Sequence, residues 1–294
     1  MKVITIEGAT ASGKSDLAFR LAKYLDTEII SADSRQVYKY LDIGTAKPDR
    51  QTLSEVKHHL TDIITPDMRY SAGAFLKETS AIINNLHDLG KIPIICGGTM
   101  LYIGSLLYGL SEIPDIPEEI VSKADEYMKD NTLEQCYEFV KSFDPKFAMK
   151  ISGTDKQRIS RAIEVWFAFG KPLTDFWVEN TLSPNINPFR IFVNRDRNEL
   201  YRRINTRMQE MVKNGLPEEI QSILKMGYSE KDYGLNTVGY KEFLQNDLNT
   251  AIDKAAQHTR NYAKRQLTWY RKCEFDLVIS DVDKFNLKSL DIKN

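Results

Sequence analysis

A glycine-rich octapeptide separates an apolar run from an amphipathic one. Gly8, Ala9, Thr10, Ala11, Ser12, Gly13, Lys14 and Ser15 fit the phosphate-binding pattern GxxxxGK followed by Ser or Thr. Such a loop works by wrapping successive backbone N–H groups around an oxyanion. Glycine permits the close approach, and the N-terminus of the next helix adds positive potential. The loop therefore needs a strand ending at it and a helix leaving it. Residues 3–7 read as that strand, and residues 16–25 as a helix with Leu17, Leu21 and Leu25 on one face. Lys14 would reach the terminal phosphate and Ser15 would ligate Mg2+. By average residue usage, the four motif positions match by accident in a chain this long on the order of one time in a hundred.

The surrounding pattern extends this unit. Residues 28–32 and 92–96 read as further strands and 72–89 as a helix, the alternation expected of βαβ units around a parallel sheet. From about residue 111 the strand signal stops and capped helices take over, with TLEQ at 132–135 and TDKQ at 154–157 both reading as capping boxes. A strand resumes at 190–194, helices follow from Asp196, and 277–279 reads as a last strand. The predicted fold class is α/β: a P-loop NTPase-like parallel sheet flanked by helices, with an all-helical insertion. Residues 1–111 and 189–294 form the predicted core and 112–188 the insertion, entered through Pro114 and Pro117 and left through Pro184 and Pro188.

Composition narrows the setting. With 40 basic and 41 acidic side chains the 294-residue chain carries a net charge of −1, which excludes a globally basic nucleic-acid binder and leaves local clusters to decide. Cys96, Cys136 and Cys273 lie far apart without a CxxC pair, which suits a reducing cytoplasm and argues against structural zinc. The four histidines, His58, His59, His87 and His258, have no second ligand at metal spacing and read as structural or surface residues. The N-terminus lacks a signal-peptide pattern. Residues 92–111 carry no formal charge over a membrane-span length, but Pro93, Gly97, Gly98, Gly104 and Gly109 break the stretch into strand, turn and helix.

The strand ends carry the chemistry, because open α/β sheets bind ligands beyond the carboxyl ends of their strands. After the second strand come Asp33, Ser34, Arg35 and Gln36, where Asp33 could be a Mg2+ ligand, a helix cap or a general base. After the third come Gly97, Gly98 and Thr99, paired glycines followed by a hydroxyl. Within the insertion, Gln157, Arg158 and Arg161 share one side of a helix, and Ile159, Ile163 and Trp166 fall on another; this polar side is either a solvated face or a contact surface. Arg195, Arg197, Arg202, Arg203 and Arg207 add charge, and residues 254–272 hold six basic residues, no acid, and Tyr262, Trp269 and Tyr270. Bases interleaved with aromatics fit a surface that follows a nucleic-acid backbone, or a solvated helix whose aromatics face the core.

These blocks together resemble the tRNA isopentenyltransferase family, the bacterial tRNA dimethylallyltransferases. GATASGKS (8–15), SADSRQVY (31–38), DIGTAKP (42–48), GGTMLY (97–102), the 155–165 helix, VGY (238–240) and TRNYAKRQLTW (259–269) match its motifs in order over about 260 of the 294 residues. Ala9 stands where most members have Pro, and Val121 where an Arg often contacts tRNA, with Lys123 nearby. The resemblance implies transfer of a dimethylallyl group from dimethylallyl diphosphate to N6 of adenosine 37 in the tRNA anticodon loop, releasing diphosphate. It implies Asp33 as the base, Thr99 as helping to position the same base or the diphosphate, and Lys14, Arg207 and Mg2+ at Ser15 as stabilisers of the leaving group. It implies tRNA contacts from Asp33, Ser34, Arg35, Gln36, Thr99, Gln157, Arg158, Ile159, Ser160, Arg161, Gly239 and Lys241. A cytoplasmic monomer is expected.

Two other readings share the first 110 residues: a small-molecule kinase holding ATP in the loop, and a tRNA-binding module using the loop as a nucleotide switch. The near-zero net charge is a cancellation, since residues 112–138 hold nine acids and two bases while 254–272 are purely basic. RNA binding should therefore be short-range and salt-sensitive, with the acidic helices facing away from the RNA.

Overall fold

The computed structural model describes residues 1–177, 181–182 and 185–290. The chain forms two compact units, residues 1–107 with 184–294, and residues 108–183. Pro184 lies outside the described residues.

The first unit is built on six parallel strands. In chain order they include β1 (Lys2–Gly8), β2 (Ile29–Ala32), β3 (His58–His59) and β4 (Ile94–Gly97). The second unit contributes β5 (Leu110–Ser111) and β6 (Thr181–Leu182), and the first unit closes with β7 (Asn187–Val193) and β8 (Leu277–Ile279). The large sheet runs β3-β2-β4-β1-β7-β8. β1 lies at its centre, with Ile6 level with Cys96 on one side and with Ile191 on the other. β1 is buried on both faces, as central parallel strands are when helices cover both, with Ile4 and Ile6 on one face and Val3, Thr5 and Glu7 on the other. Ile4 and Ile6 pack with Leu17, Leu21 and Ile94 beneath the Lys14–Leu25 helix.

Where the structure departs from the sequence reading, the causes are local. β3 is a two-residue strand made of His58 and His59, too short and polar for an alternation signal. His59 is bound to Glu28 at 2.6 Å and His87 to the Lys2 carbonyl at 2.7 Å. Pro188 stands inside β7, level with Val3. TLEQ at 132–135 forms the full capping box. TDKQ at 154–157 does not: Asp155, one residue later, caps the Lys156–Phe169 helix by accepting from Arg158 N. The predicted all-helical stretch, 112–188, also contains β6, which pairs antiparallel with β5 just before it, and the first two residues of β7. Among the described residues no helix is long and apolar enough to cross a membrane.

Candidate active site

The ends of β1, β2 and β4 converge because the sheet order places these strands side by side. From β1 the chain enters the glycine-rich loop through Gly8. Gly13 sits at φ 99°, in the left-handed region that glycine adopts without strain, and hands the chain to the Lys14–Leu25 helix. At the end of β4, a Cβ on Gly97 would lie 2.1 Å from the Ala32 carbonyl of β2, so only glycine lets the two strand ends come this close.

Three arginines clamp three consecutive loop residues. Arg195 donates to the Ser12 carbonyl at 2.6 Å, Arg203 to the Ala11 carbonyl at 2.9 Å and Arg207 to the Thr10 hydroxyl at 2.6 Å. Arg203 and Arg207 are one turn apart on the Arg197–Lys213 helix, so they project from one face. Two of the cations that the sequence grouped with a possible RNA surface, Arg195 and Arg203, thus touch the phosphate loop beside Arg207, which the resemblance implied for the leaving group. The i, i+4 spacing was the available signal, and charge composition concealed it.

Lys14 and Arg207 are part-buried and, among the described residues, form no ion pair. Lys14 donates to the Ala9 carbonyl at 3.3 Å. Burial lowers the pKa of both, while the nearby Asp33 charge acts to raise it. Desolvating two cations without an anionic partner is costly, and an anion in the loop would remove that cost. Ser12 adds a buried hydroxyl with no hydrogen-bond partner among the described residues.

Asp33 follows β2 directly. Its Oδ1 accepts from the Arg35 N–H at 2.9 Å, which makes a side-chain turn and not a helix cap. Thr99, after β4, accepts from the Ser34 N–H at 2.9 Å and lies 3.3 Å from the Ser34 hydroxyl. Gln36 bridges Ser31 and the Ala46 carbonyl, at 3.2 Å each. Tyr262 donates to the Gly98 carbonyl at 3.3 Å, and its phenol is pushed up to about 12, mainly by burial and then by the Asp33 charge. Burial also pushes the Cys96 thiol up to about 11, which disfavours the thiolate.

The 42–48 loop is held by Glu219, which accepts from Ile43 N at 2.7 Å, Asp42 N at 3.0 Å and the buried Tyr240 hydroxyl at 2.6 Å. A Cβ on Gly44 would strike the Tyr240 ring at 2.5 Å. Gly239 is buried and donates to Glu242 at 2.8 Å, and Lys241 is half-buried beside it.

The second unit carries the remaining expected contact residues. Gln157 and Arg158 are exposed, Ser160 is half-buried, and Arg161 donates to Glu164 at 2.9 Å. The Ile159 side chain is not available for the RNA contact expected of it: it is 0% exposed and packs in the core with Ala124, Val140 and Ile163. Val121 is 5% exposed, so this position offers no surface contact here. The aromatics of residues 254–272 do not form an outward stacking surface either. Tyr270 is buried against Phe192, and Trp269 packs edge-on against Tyr270.

Fold and site together define a P-loop α/β protein whose anion cradle lies beside a carboxylate and a hydroxyl at neighbouring strand ends. Comparison with known proteins gives the same answer more specifically. The family model for IPP transferase matches residues 36–273. The tRNA dimethylallyltransferase of Thermoanaerobacter sp. (strain X514) is 41% identical over 94% of this chain and 90% of its own. That of Aquifex aeolicus (strain VF5) is 40% identical over 98% of this chain and 94% of its own. Among solved structures, the tRNA delta(2)-isopentenylpyrophosphate transferase of Staphylococcus epidermidis aligns with a TM-score of 0.67 at 34% identity, covering 98% of this chain and 95% of that one. A eukaryotic dimethylallyltransferase acting on tRNA aligns with a TM-score of 0.79 at 26% identity, covering 96% and 75%. The chain belongs to the IPP transferase family.

Proposed function

We propose that the protein transfers a dimethylallyl group from dimethylallyl diphosphate to N6 of adenosine 37 in the tRNA anticodon loop. The observation that carries this reading is a pair of cations without an ion pair among the described residues, Lys14 at the end of the phosphate loop and Arg207 reaching that loop from the Arg197–Lys213 helix, both under the influence of the Asp33 charge. The loop recognises an oxyanion cluster and not a nucleobase, so a prenyl diphosphate suits it as well as a nucleotide does.

In this reaction the allylic C–O bond breaks with its electron pair leaving on diphosphate, and the N6 lone pair forms the new C–N bond. Lys14 and Arg207 stabilise the charge that develops on the leaving group. An exocyclic aromatic amine is a very weak acid, so Asp33 accepts the N6 proton during or after attack and not before it. Thr99 orients the same amine or the diphosphate. The adenosine has to leave the loop stack, which costs least in a single-stranded loop.

The residues present fit Mg2+. Among the described residues no cluster of three His, Cys, Asp or Glu could hold a metal, whereas Mg2+ typically takes one or two protein oxygens with phosphate and water. The exposed Ser15 is the side chain that would hold it. When bound, the ion supplies further compensation for the diphosphate charge.

Incubation with Mg2+, tRNA and either labelled dimethylallyl diphosphate or labelled ATP separates the alternatives. Label from the prenyl donor is expected in tRNA. Phosphoryl label in a small molecule would instead support a kinase, and no transfer would support a switch module. Contact by the second unit is tested by Arg158→Ala, which removes an exposed cation that lies 3.5 Å from Asp155. It should weaken tRNA binding at low salt, reduce the salt slope by about one, and leave prenyl-diphosphate binding unchanged. An unchanged tRNA dissociation constant refutes that contact.

A further inference from the structure

Gln266 is a glutamine at 1% exposure on the Leu248–Tyr270 helix. Its Oε1 accepts from the Thr10 N–H at 2.9 Å, and its Nε2 donates to the Gly98 carbonyl at 2.7 Å. The amide cannot be reversed, because a flip would set N–H against N–H at Thr10 and oxygen against oxygen at Gly98. A Cβ on Gly98 would lie 2.4 Å from Nε2, which explains the second glycine of the Gly97-Gly98-Thr99 run: only a bare backbone lets the amide reach the carbonyl. Tyr262, one turn earlier, donates to the same carbonyl, and Ala263 packs against Ala9 and Ile204, fixing the helix against the loop.

Each partner of Gln266 leads to a different half of the site. Thr10 carries the hydroxyl that holds Arg207. Gly98 precedes Thr99, whose N–H is bound to the Ala32 carbonyl and whose hydroxyl is bound to Ser34, on either side of Asp33. We propose that Gln266 is a positioning residue that sets the phosphate loop and the Asp33–Thr99 edge in register with one amide. Donor and acceptor must meet within a few tenths of an ångström, and small misplacements are expensive in rate. The inference rests on the prenyl-transfer reading.

The test compares wild type with Gln266→Met, which keeps volume and removes both hydrogen bonds, and Gln266→Asn, which keeps an amide but is one bond too short to meet both partners. Single-turnover transfer at saturating substrates, the dissociation constants for dimethylallyl diphosphate and for tRNA, and Tm are measured on each. Gln266→Met should slow transfer by about thirtyfold and weaken donor binding several-fold, with tRNA affinity within twofold. Gln266→Asn, the variant read if Met prevents folding, should lose about tenfold in rate. A lowered Tm with rate and donor affinity within twofold of wild type would reduce Gln266 to a structural residue and overturn the proposal. Failure of wild type itself to transfer the prenyl group would instead overturn the reading beneath it.

Discussion

Asp33→Ala should slow single-turnover prenyl transfer by about a hundredfold or more, the usual scale for losing a positioned base, while tRNA affinity stays within a few-fold. The structure sharpens this expectation in two ways. Oδ1 of Asp33 also holds the turn through Arg35 N, so part of any loss on Ala could be a slackened turn. Asp33→Asn keeps an acceptor for that N–H and removes only the basicity, and it should be nearly as slow as Ala. Asp33 also acts electrostatically on Lys14 and Arg207, so removing its charge should leave prenyl-diphosphate binding unchanged or tighter. Single-turnover rates with equilibrium binding of each substrate check all three statements. A near-normal rate for Asn would remove Asp33 from the proton transfer.

The second large effect concerns stability. Glu7, the last side chain of β1 before Gly8, is 0% exposed. Arg190 of β7 grips it with two hydrogen bonds of 2.9 Å, and Thr5 donates to it at 2.8 Å. The guanidinium in turn lies over the Phe275 ring at 4.7 Å. A buried pair of this kind contributes little compared with a well-packed apolar pair, but removing one partner strands the other charge. Arg190→Met is therefore expected to cost about 3–5 kcal/mol in denaturant unfolding, and Glu7→Leu combined with Arg190→Met should recover most of that loss. Additive losses in the double variant would show that packing, and not the stranded charge, dominates.

Much of this fold was legible because it is announced locally. The strand, glycine loop and helix of residues 2–25 follow from an apolar run, two loop-bounding glycines and leucines at helical spacing. The two strand-end clusters follow from the rule that places ligands at carboxyl ends of parallel strands, and the sheet order brings them together. What stayed hidden depends on long-range pairing. Arg195 and Arg203 look in sequence like any basic stretch, and only the packing of the Arg197–Lys213 helix and the connection before it on the loop gives them Ser12 and Ala11 as partners, beside the Arg207 that the resemblance already pointed to. Gln266 sits in a basic stretch that composition marks as a surface, yet it is buried. Ile159 lies within a segment that matches the family's RNA-contacting block, while helical period sets its side chain with Ile163 on the apolar side.

The central claim is that the phosphate loop holds the diphosphate of a prenyl donor. Equilibrium binding of dimethylallyl diphosphate with Mg2+ to wild type and to Lys14→Ala, without tRNA, tests it most directly. The account predicts saturable binding by wild type that Lys14→Ala weakens at least tenfold, the scale of losing one charge-assisted contact. Equal binding by both proteins, or binding of ATP alone, would contradict it.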